Sequence, residues 1–331
     1  MSVTIEHHWL LGVSGIIRRS HCRNVGVSLM NEVRIAGISC DGTGGVDVSC
    51  RRVLGLIDEA CGQPLDIICL PELFAWMELE TSDKAKVAEP IDGPFATAMS
   101  QAAARHKVHL LAPLVEQADD GHVYNTQVWF DRNGQVLGRY RKVFVTYYEM
   151  DGGFHPGQLD FDVFQTEFGP IGCCICFDLN FPELQHRLGE QRPRLTFFPT
   201  MFQGTTLLQT WALQNQMYYL SVACVRYGML VDPRGKIVIE PWNHHPTMIV
   251  KINLDYAVLF SDINRDKWSS VKSKYGDKVG WDDHYMDGTI LFESRHPELS
   301  ALDMVRACDL ELRQELFGRT REQRQQWLEA R

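Results

Sequence analysis

Residues 171–183 read IGCCICFDLNFPE. An apolar run carrying three cysteines ends at Cys176 and Phe177, and FPELQHRLGEQ (181–191) then has helical spacing, with Pro182 placed where a helix tolerates proline, in its first turn. Cys176 therefore sits where a buried strand gives way to a turn and a helix. That junction belongs to a chain that alternates the two kinds of element.

The alternation extends in both directions. Upstream, FDVFQTEFGPIGCCICF (161–177) reads as a strand, a Gly-Pro turn and a second strand. Further back, VRIAGIS (33–39) is a strand, Val46 to Cys61 has helical spacing through Val53, Leu54 and Ile57, and LDIICLPE (65–72) is a strand ending in Pro71 and Glu72. A helix over Phe95 to Arg105 precedes the strand VHLLAPLVE (108–116), and two alternating runs about Asp131 to Gly134 predict a hairpin within 123–144. Downstream, LTFFPTM (195–201) and YLSVACV (219–225) are strands separated by a helix over Leu207 to Gln216. GMLVDPRGKIVIEPW (228–242), followed by TMIVKINL (247–254), reads as a closing hairpin around Asp232 to Gly235. The mixture predicts an α/β sandwich.

Composition bounds the function. A chain of 331 residues, 45% hydrophobic, can bury a sizeable core. A net charge of −9 argues against an extended phosphate-binding surface, so nucleic acid is not expected as a partner. No apolar run approaches the roughly 20 residues that span a bilayer; WLLGVSGII (9–17) is too short and runs into Arg18 and Arg19. It also lacks the basic start and the small-residue cleavage site of a secretion signal. Ten cysteines, several inside apolar runs, do not make a disulfide scaffold, and a reducing cytoplasm fits them.

No internal repeat or long linker divides the chain, so the expected organisation is an N-terminal extension (1–32), one catalytic domain (33–260) and a C-terminal extension (261–331). Residues 261–297 are polar and aromatic without clear periodicity. Leu299 to Arg331 is a charged helical segment with scattered apolar anchors, suited to packing on the domain or on a second subunit.

The cysteines admit three readings. Zinc sites pair Cys or His at two separated positions, and no second pair follows Cys173, Cys174 and Cys176, so no metal is expected. Strand alternation places Cys174 and Cys176 on one face and Cys173 on the other, where Cys173 and Cys174 serve as filling. Cys176, at the bend, can project its thiol into a cleft while the N–H of Phe177 points at a developing oxyanion. Two further residues are ambiguous alone. Glu72 ends a strand, where a carboxylate is commonly a cap or a loop anchor. Lys142, in RYRKVFVTYYE, stands where a lysine is commonly a solvated strand end.

Together, PEL around Glu72, YRK ending at Lys142 and GCCICFDLNFPE around Cys176 resemble the three signature segments of the nitrilase, or carbon-nitrogen hydrolase, superfamily. The resemblance covers Val33 to about Phe260. Lys142 lies 70 positions beyond Glu72, and Cys176 34 beyond Lys142, an order and spacing typical of that family. HPG (155–157), WALQNQMYY (211–219) and VDPRG (231–235) also resemble its later segments. Asn180, Gln214 and Cys224 depart from it, standing where many members have Arg, an acidic residue and Asn. These departures leave the three signature residues intact but block transfer of a substrate preference from any one branch.

The resemblance implies a four-layer αββα sandwich that assembles as a homodimer or higher homo-oligomer, acts on a small-molecule amide and needs no cofactor. It implies Cys176 as nucleophile, Glu72 as general base and Lys142 as the positive charge beside thiolate and oxyanion, with a thioester intermediate and release of ammonia or an amine. Glu149 resembles a second catalytic carboxylate placed near the lysine and substrate, for positioning and proton transfer; its bland alternative is a strand-end salt bridge. Tyr148, Phe177 and Phe202, with Phe74, Trp76 and Tyr147, adjoin the signature segments and either line a pocket or fill the core. The expected activity is amide or N-carbamoyl hydrolysis. Nitrile hydrolysis ranks lower, because FDLNFPE resembles amide-cleaving members more than those with Trp-Glu after the cysteine. The competing class is a catalytically silent sandwich used as a scaffold.

Overall fold

The computed structural model describes residues 32–225, 228–239 and 245–330; the N-terminal stretch read from WLLGVSGII lies outside them. Strands β1 (Glu32–Ile38), β2 (Ile67–Cys69) and β3 (His109–Gln117) run parallel, and β4 (Val123–Phe130) and β5 (Val136–Arg141) continue the sheet antiparallel. The chain then builds a second sheet from β6 (Phe164–Thr166), β7 (Gly169–Cys173), β8 (Leu195–Thr200), β9 (Tyr218–Ala223), β10 (Met229–Val231) and β11 (Ile237–Ile239). Its centre, β7 to β9, is again parallel. Strand β12 (Thr247–Asn253) returns to the first sheet and pairs antiparallel with β1 from Glu32 opposite Asn253 to Ile38 opposite Thr247.

Side-chain parity then separates two buried layers. On β1, Val33 and Ile35 face the second sheet while Ala36 and Ile38 face helices; on β4, Trp129 faces inward and Val128 and Phe130 outward. Helices α1 (Gly45–Ala60), α2 (Thr81–Lys86) and α3 (Pro94–His106) belong to the first half, with Val53, Ile57, Met99 and Ala102 of α1 and α3 closing the outer layer. The short α4 (Tyr147–Asp151) follows β5. Helices α5 (Pro182–Gln191) and α6 (Thr205–Asn215) cover the second sheet through Leu184, Leu188, Leu208 and Ala212. The approach is close: a Cβ on Gly172 would meet Thr196 Oγ1 at 2.6 Å and Leu188 Cδ2 at 3.2 Å. This is the expected αββα sandwich.

Two local expectations change. The turn between β6 and β7 is Glu167–Phe168, and Gly169–Pro170 begin the next strand. Gly169 supplies the positive φ of 94° that ends the turn, and proline is tolerated beside it because the strand is only starting. The closing hairpin holds for β10 and β11 about Asp232 to Gly235, but TMIVKINL is β12 and crosses to the other sheet.

Beyond the sandwich, β13 (Tyr256–Phe260) pairs with β15 (Thr289–Ser294), which pairs with β14 (Val279–His284), forming a third sheet. Helices α7 (Ser261–Asn264), α8 (Trp268–Tyr275), α9 (Ala301–Ala307) and α10 (Arg313–Glu329) complete the C-terminal part. Val271, Phe292, Met304 and Val305 bury a small separate core there. Sequence periodicity missed this sheet because its strands are short and β14 carries Trp281, Asp282 and Asp283 in place of an apolar alternation. No helix among the described residues is long and apolar enough to cross a membrane.

Candidate active site

Strand ends bring the signature residues to one edge of the sandwich. Glu72 follows β2, and its backbone carbonyl accepts a hydrogen bond from the Cys224 thiol, just past β9, at 3.2 Å. Lys142 follows β5 with the parity of Tyr140, which faces the other sheet, so its side chain enters the space between the sheets. Both are nearly solvent-free, at 3% and 2% exposure, where a charge persists only if paired.

The pairing is tight. Lys142 Nζ donates to Glu72 Oε1 at 2.8 Å and to Glu149 Oε2 at 2.8 Å and Oε1 at 3.0 Å. Glu149 is held by the start of α4: the Thr146 N–H donates to its Oε2 at 2.8 Å, and the Glu149 N–H donates to Thr146 Oγ1 at 3.2 Å. Burial pulls the Lys142 ammonium toward neutrality, but Glu72 and Glu149 outweigh it and hold the lysine above its ordinary value. Burial pushes Glu149 up, and Lys142 with its hydrogen-bond donors more than reverses this, so it stays ionised.

Cys176 completes the group. The β7 ladder ends at Cys173, so strand alternation does not govern Cys176; its left-handed backbone, φ 48°, does. Such a backbone is strained for a side chain with a Cβ and is held only by strong surroundings. Its thiol faces Glu72, Lys142 and the backbone N–H of Met201. Burial and the Glu72 charge raise the thiol, while Lys142 and the Met201 N–H work against them, so the resting sulfur is protonated. A protonated thiol beside a carboxylate needs that carboxylate as its base.

Two further residues shape the site, and neither emerged from the sequence. Asn125 on β4 shares the inward parity of Trp129 and donates from Nδ2 to Glu72 Oε1 at 2.8 Å and to Glu149 Oε1 at 2.9 Å. Inward parity of a polar residue on a core strand was the available signal. Glu72 Oε1 thus receives both Lys142 and Asn125, while Oε2 is buried with no hydrogen-bond partner among the described residues. Asp178, fully buried, accepts from the Ile175 N–H at 2.8 Å, the Phe144 N–H at 2.7 Å and the Tyr140 hydroxyl at 2.8 Å. It ties the cysteine bend to the strand and loop that carry Lys142.

The aromatic candidates divide. Phe74 and Trp76 are buried and pack on Phe95 in the helix-side core. Phe177 meets Phe181 edge-on, and Phe181 stacks on Phe144 at 3.8 Å. Tyr148 lies against Tyr147 at the exposed surface of α4, and Phe202 meets Phe198 edge-on beside Met201. Tyr148, Phe177 and Phe202 are exposed. Among the described residues, no group of three or more His, Cys, Asp or Glu is arranged to hold a metal.

A buried carboxylate and ammonium and a partly buried thiol thus meet at the strand ends of an αββα sandwich. The carbon-nitrogen hydrolase family model matches residues 47–260, and the chain belongs to that family. It is 31% identical over 230 residues to the deaminated glutathione amidase of Synechocystis, covering 60% of this chain and 84% of that one. It is 26% identical over 240 residues to the mouse omega-amidase NIT2, covering 67% and 85%. Its fold matches Saccharomyces cerevisiae Nit3, of branch 10 of the nitrilase superfamily, with a TM-score of 0.60 at 24% identity over 68% of this chain and 91% of that one. It likewise matches the carbon-nitrogen hydrolase of Helicobacter pylori G27, with a TM-score of 0.62 at 17% identity over 68% and 90%.

Proposed function

We propose that the protein hydrolyses the C–N bond of a small carboxamide or N-carbamoyl compound through a thioester on Cys176. The observation that carries this reading is the division of labour at Glu72: one oxygen accepts from Lys142 and Asn125, the other accepts from no described group, and the Cys176 thiol faces this carboxylate. The amidase names of the relatives support the reaction class.

In the first step Sγ bonds to the amide carbon as its proton passes to Glu72 Oε2. The carbonyl π-electrons move onto oxygen, where Lys142 and the Phe177 N–H supply positive potential. The C–N bond then breaks, and the leaving nitrogen takes the proton from Glu72. Water attacks the thioester as Glu72 accepts its proton; the C–S bond breaks and the proton returns to sulfur, leaving carboxylic acid and free enzyme. Lys142 serves both half-reactions as a fixed charge. In this reading Glu149 holds the lysine between two carboxylates, Tyr148 and Phe202 border the substrate's entry, and the enzyme works in the cytoplasm as a homodimer or higher homo-oligomer.

The test pairs ammonia release from a panel of amides, N-carbamoyl compounds and nitriles with intact-mass analysis of the protein. At least one amide or carbamoyl compound should turn over and leave an acyl mass on Cys176. Glu72→Gln and Cys176→Ser should abolish turnover, and Lys142→Ala should lower kcat/KM about a thousandfold. Turnover of nitriles alone would make the enzyme a nitrilase. Undiminished turnover in Cys176→Ser would overturn the mechanism.

A further inference from the structure

Two carboxylates share one ammonium at this site. Their arrangement depends on a residue outside the three signature segments. Asn125 is 2% exposed, and its Nδ2 spans Glu72 Oε1 and Glu149 Oε1 at 2.8 and 2.9 Å. Its backbone carbonyl also accepts from the Lys142 N–H at 2.8 Å, so the same residue fixes the lysine's main chain. An amide nitrogen carries two hydrogens, one for each carboxylate, and has no charge to compete with the ammonium.

We infer that Asn125 is a positioning residue that bridges Glu72 and Glu149 and thereby leaves a single, bare Glu72 oxygen to act as the base. The inference rests on the reading of Glu72 as base and goes beyond it. Without the bridge, Lys142 alone offsets two carboxylates, and Glu72 can rotate so that either oxygen, or neither, meets the thiol. Hydrogen bonds donated to an ionised carboxylate favour the ionised form, and the Asn125 amide is among the donors that hold Glu149 down, so its loss raises the pH at which Glu149 takes up a proton. The titratable and charged groups facing this pair are Lys142 after β5, Cys176 after β7, Cys224 after β9 and, behind the lysine, Asp178. None of these offers a second neutral donor of the same shape.

The experiment measures kcat, KM and the pH profile of kcat/KM for Asn125→Ala and Asn125→Asp, with the rate of Cys176 alkylation by iodoacetamide as a readout independent of turnover. Asn125→Ala should lower kcat ten- to a hundredfold with KM changed less than about threefold. It should also move the acid limbs of kcat/KM and alkylation upward by about one pH unit. Asn125→Asp, nearly identical in shape, puts a third acid against the pair and should lose at least as much. It keeps the test valid should the alanine variant fold poorly. Wild-type acid limbs in a folded Asn125→Asp protein would overturn the inference. Glu72→Gln separates the two levels: if it retains turnover, the assignment of the base fails; if it is inactive while the Asn125 variants keep wild-type profiles, only the role of Asn125 fails.

Discussion

At the scale of the residue, the most informative group is Asp178, which touches no reacting atom in the proposed mechanism. Burial raises its carboxyl, and two backbone N–H groups, Lys142 and the Tyr140 hydroxyl pull it back, leaving it at about 7 against an ordinary 3.8. The sign for stability follows. Between about pH 4 and pH 7 the folded chain holds this proton more firmly than the unfolded chain. Stability therefore falls as pH rises through that window, and below it the group carries no penalty. Asp178→Asn removes the titration. It also sets an amide N–H against a backbone donor, so it destabilises at every pH, and only the slope is diagnostic. Denaturant unfolding at pH 4.5, 5.5, 6.5 and 7.5 should show wild type losing ground to the variant as pH rises, by at most about 1.4 kcal/mol per pH unit. A flat difference would place the carboxyl at its ordinary value.

At the scale of the element, α4 shows how a five-residue helix can be part of a site. Thr146 caps it and Glu149 returns the cap, so the hydrogen bonds that start the helix also aim a carboxylate at Lys142. Thr146→Ala should cost about 1 kcal/mol in chemical unfolding, the usual worth of such a cap. Thr146→Ser, which keeps the oxygen, should cost little. If both behave alike, the cap does not hold the helix. This element also shows where sequence reading stops. The T-x-x-E pattern at 146–149 stands in the sequence, but a helix this short has no apolar periodicity to announce it. The long elements were legible because their periodicity is strong: α1, α3, α5, α6 and the central strands agree with expectation within a few residues. Glu72, Lys142 and Cys176 were legible through motif order, and their convergence is a matter of topology. Asn125 and Asp178 were not, because one lies outside the motifs and the other inside one in a role that only three-dimensional contacts define.

At the scale of the molecule, the sandwich and the third sheet meet through a buried charge. Arg234, in the β10–β11 turn, donates to Asp232 Oδ2 at 2.6 Å and 3.0 Å, and across to Asp282 on β14 at its Oδ2, 2.7 Å, and its backbone carbonyl, 3.0 Å. Asp232 is 1% exposed and Arg234 5%. Removing the arginine leaves a desolvated carboxylate whose remaining donors are the N–H groups of its own turn. Breaking one side of such a pair commonly costs about 3 to 5 kcal/mol. The neighbouring link, Arg194 to the carbonyls of Leu254 and Tyr256, stays in place, so the loss should fall on the β10–β11 turn and on its contact with β14. Arg234→Ala should therefore unfold at lower denaturant and open residues 279–294 to limited proteolysis while amide turnover persists. Arg234→Lys should recover little, because an ammonium cannot reach Asp232 and both acceptors on Asp282 with the geometry of a guanidinium. Asp232→Asn combined with Arg234→Ala should recover part of the loss by removing the stranded charge. Wild-type stability in Arg234→Ala would mean that the two bodies are held by apolar packing and by the other hydrogen bonds between them, those of Arg194 among them.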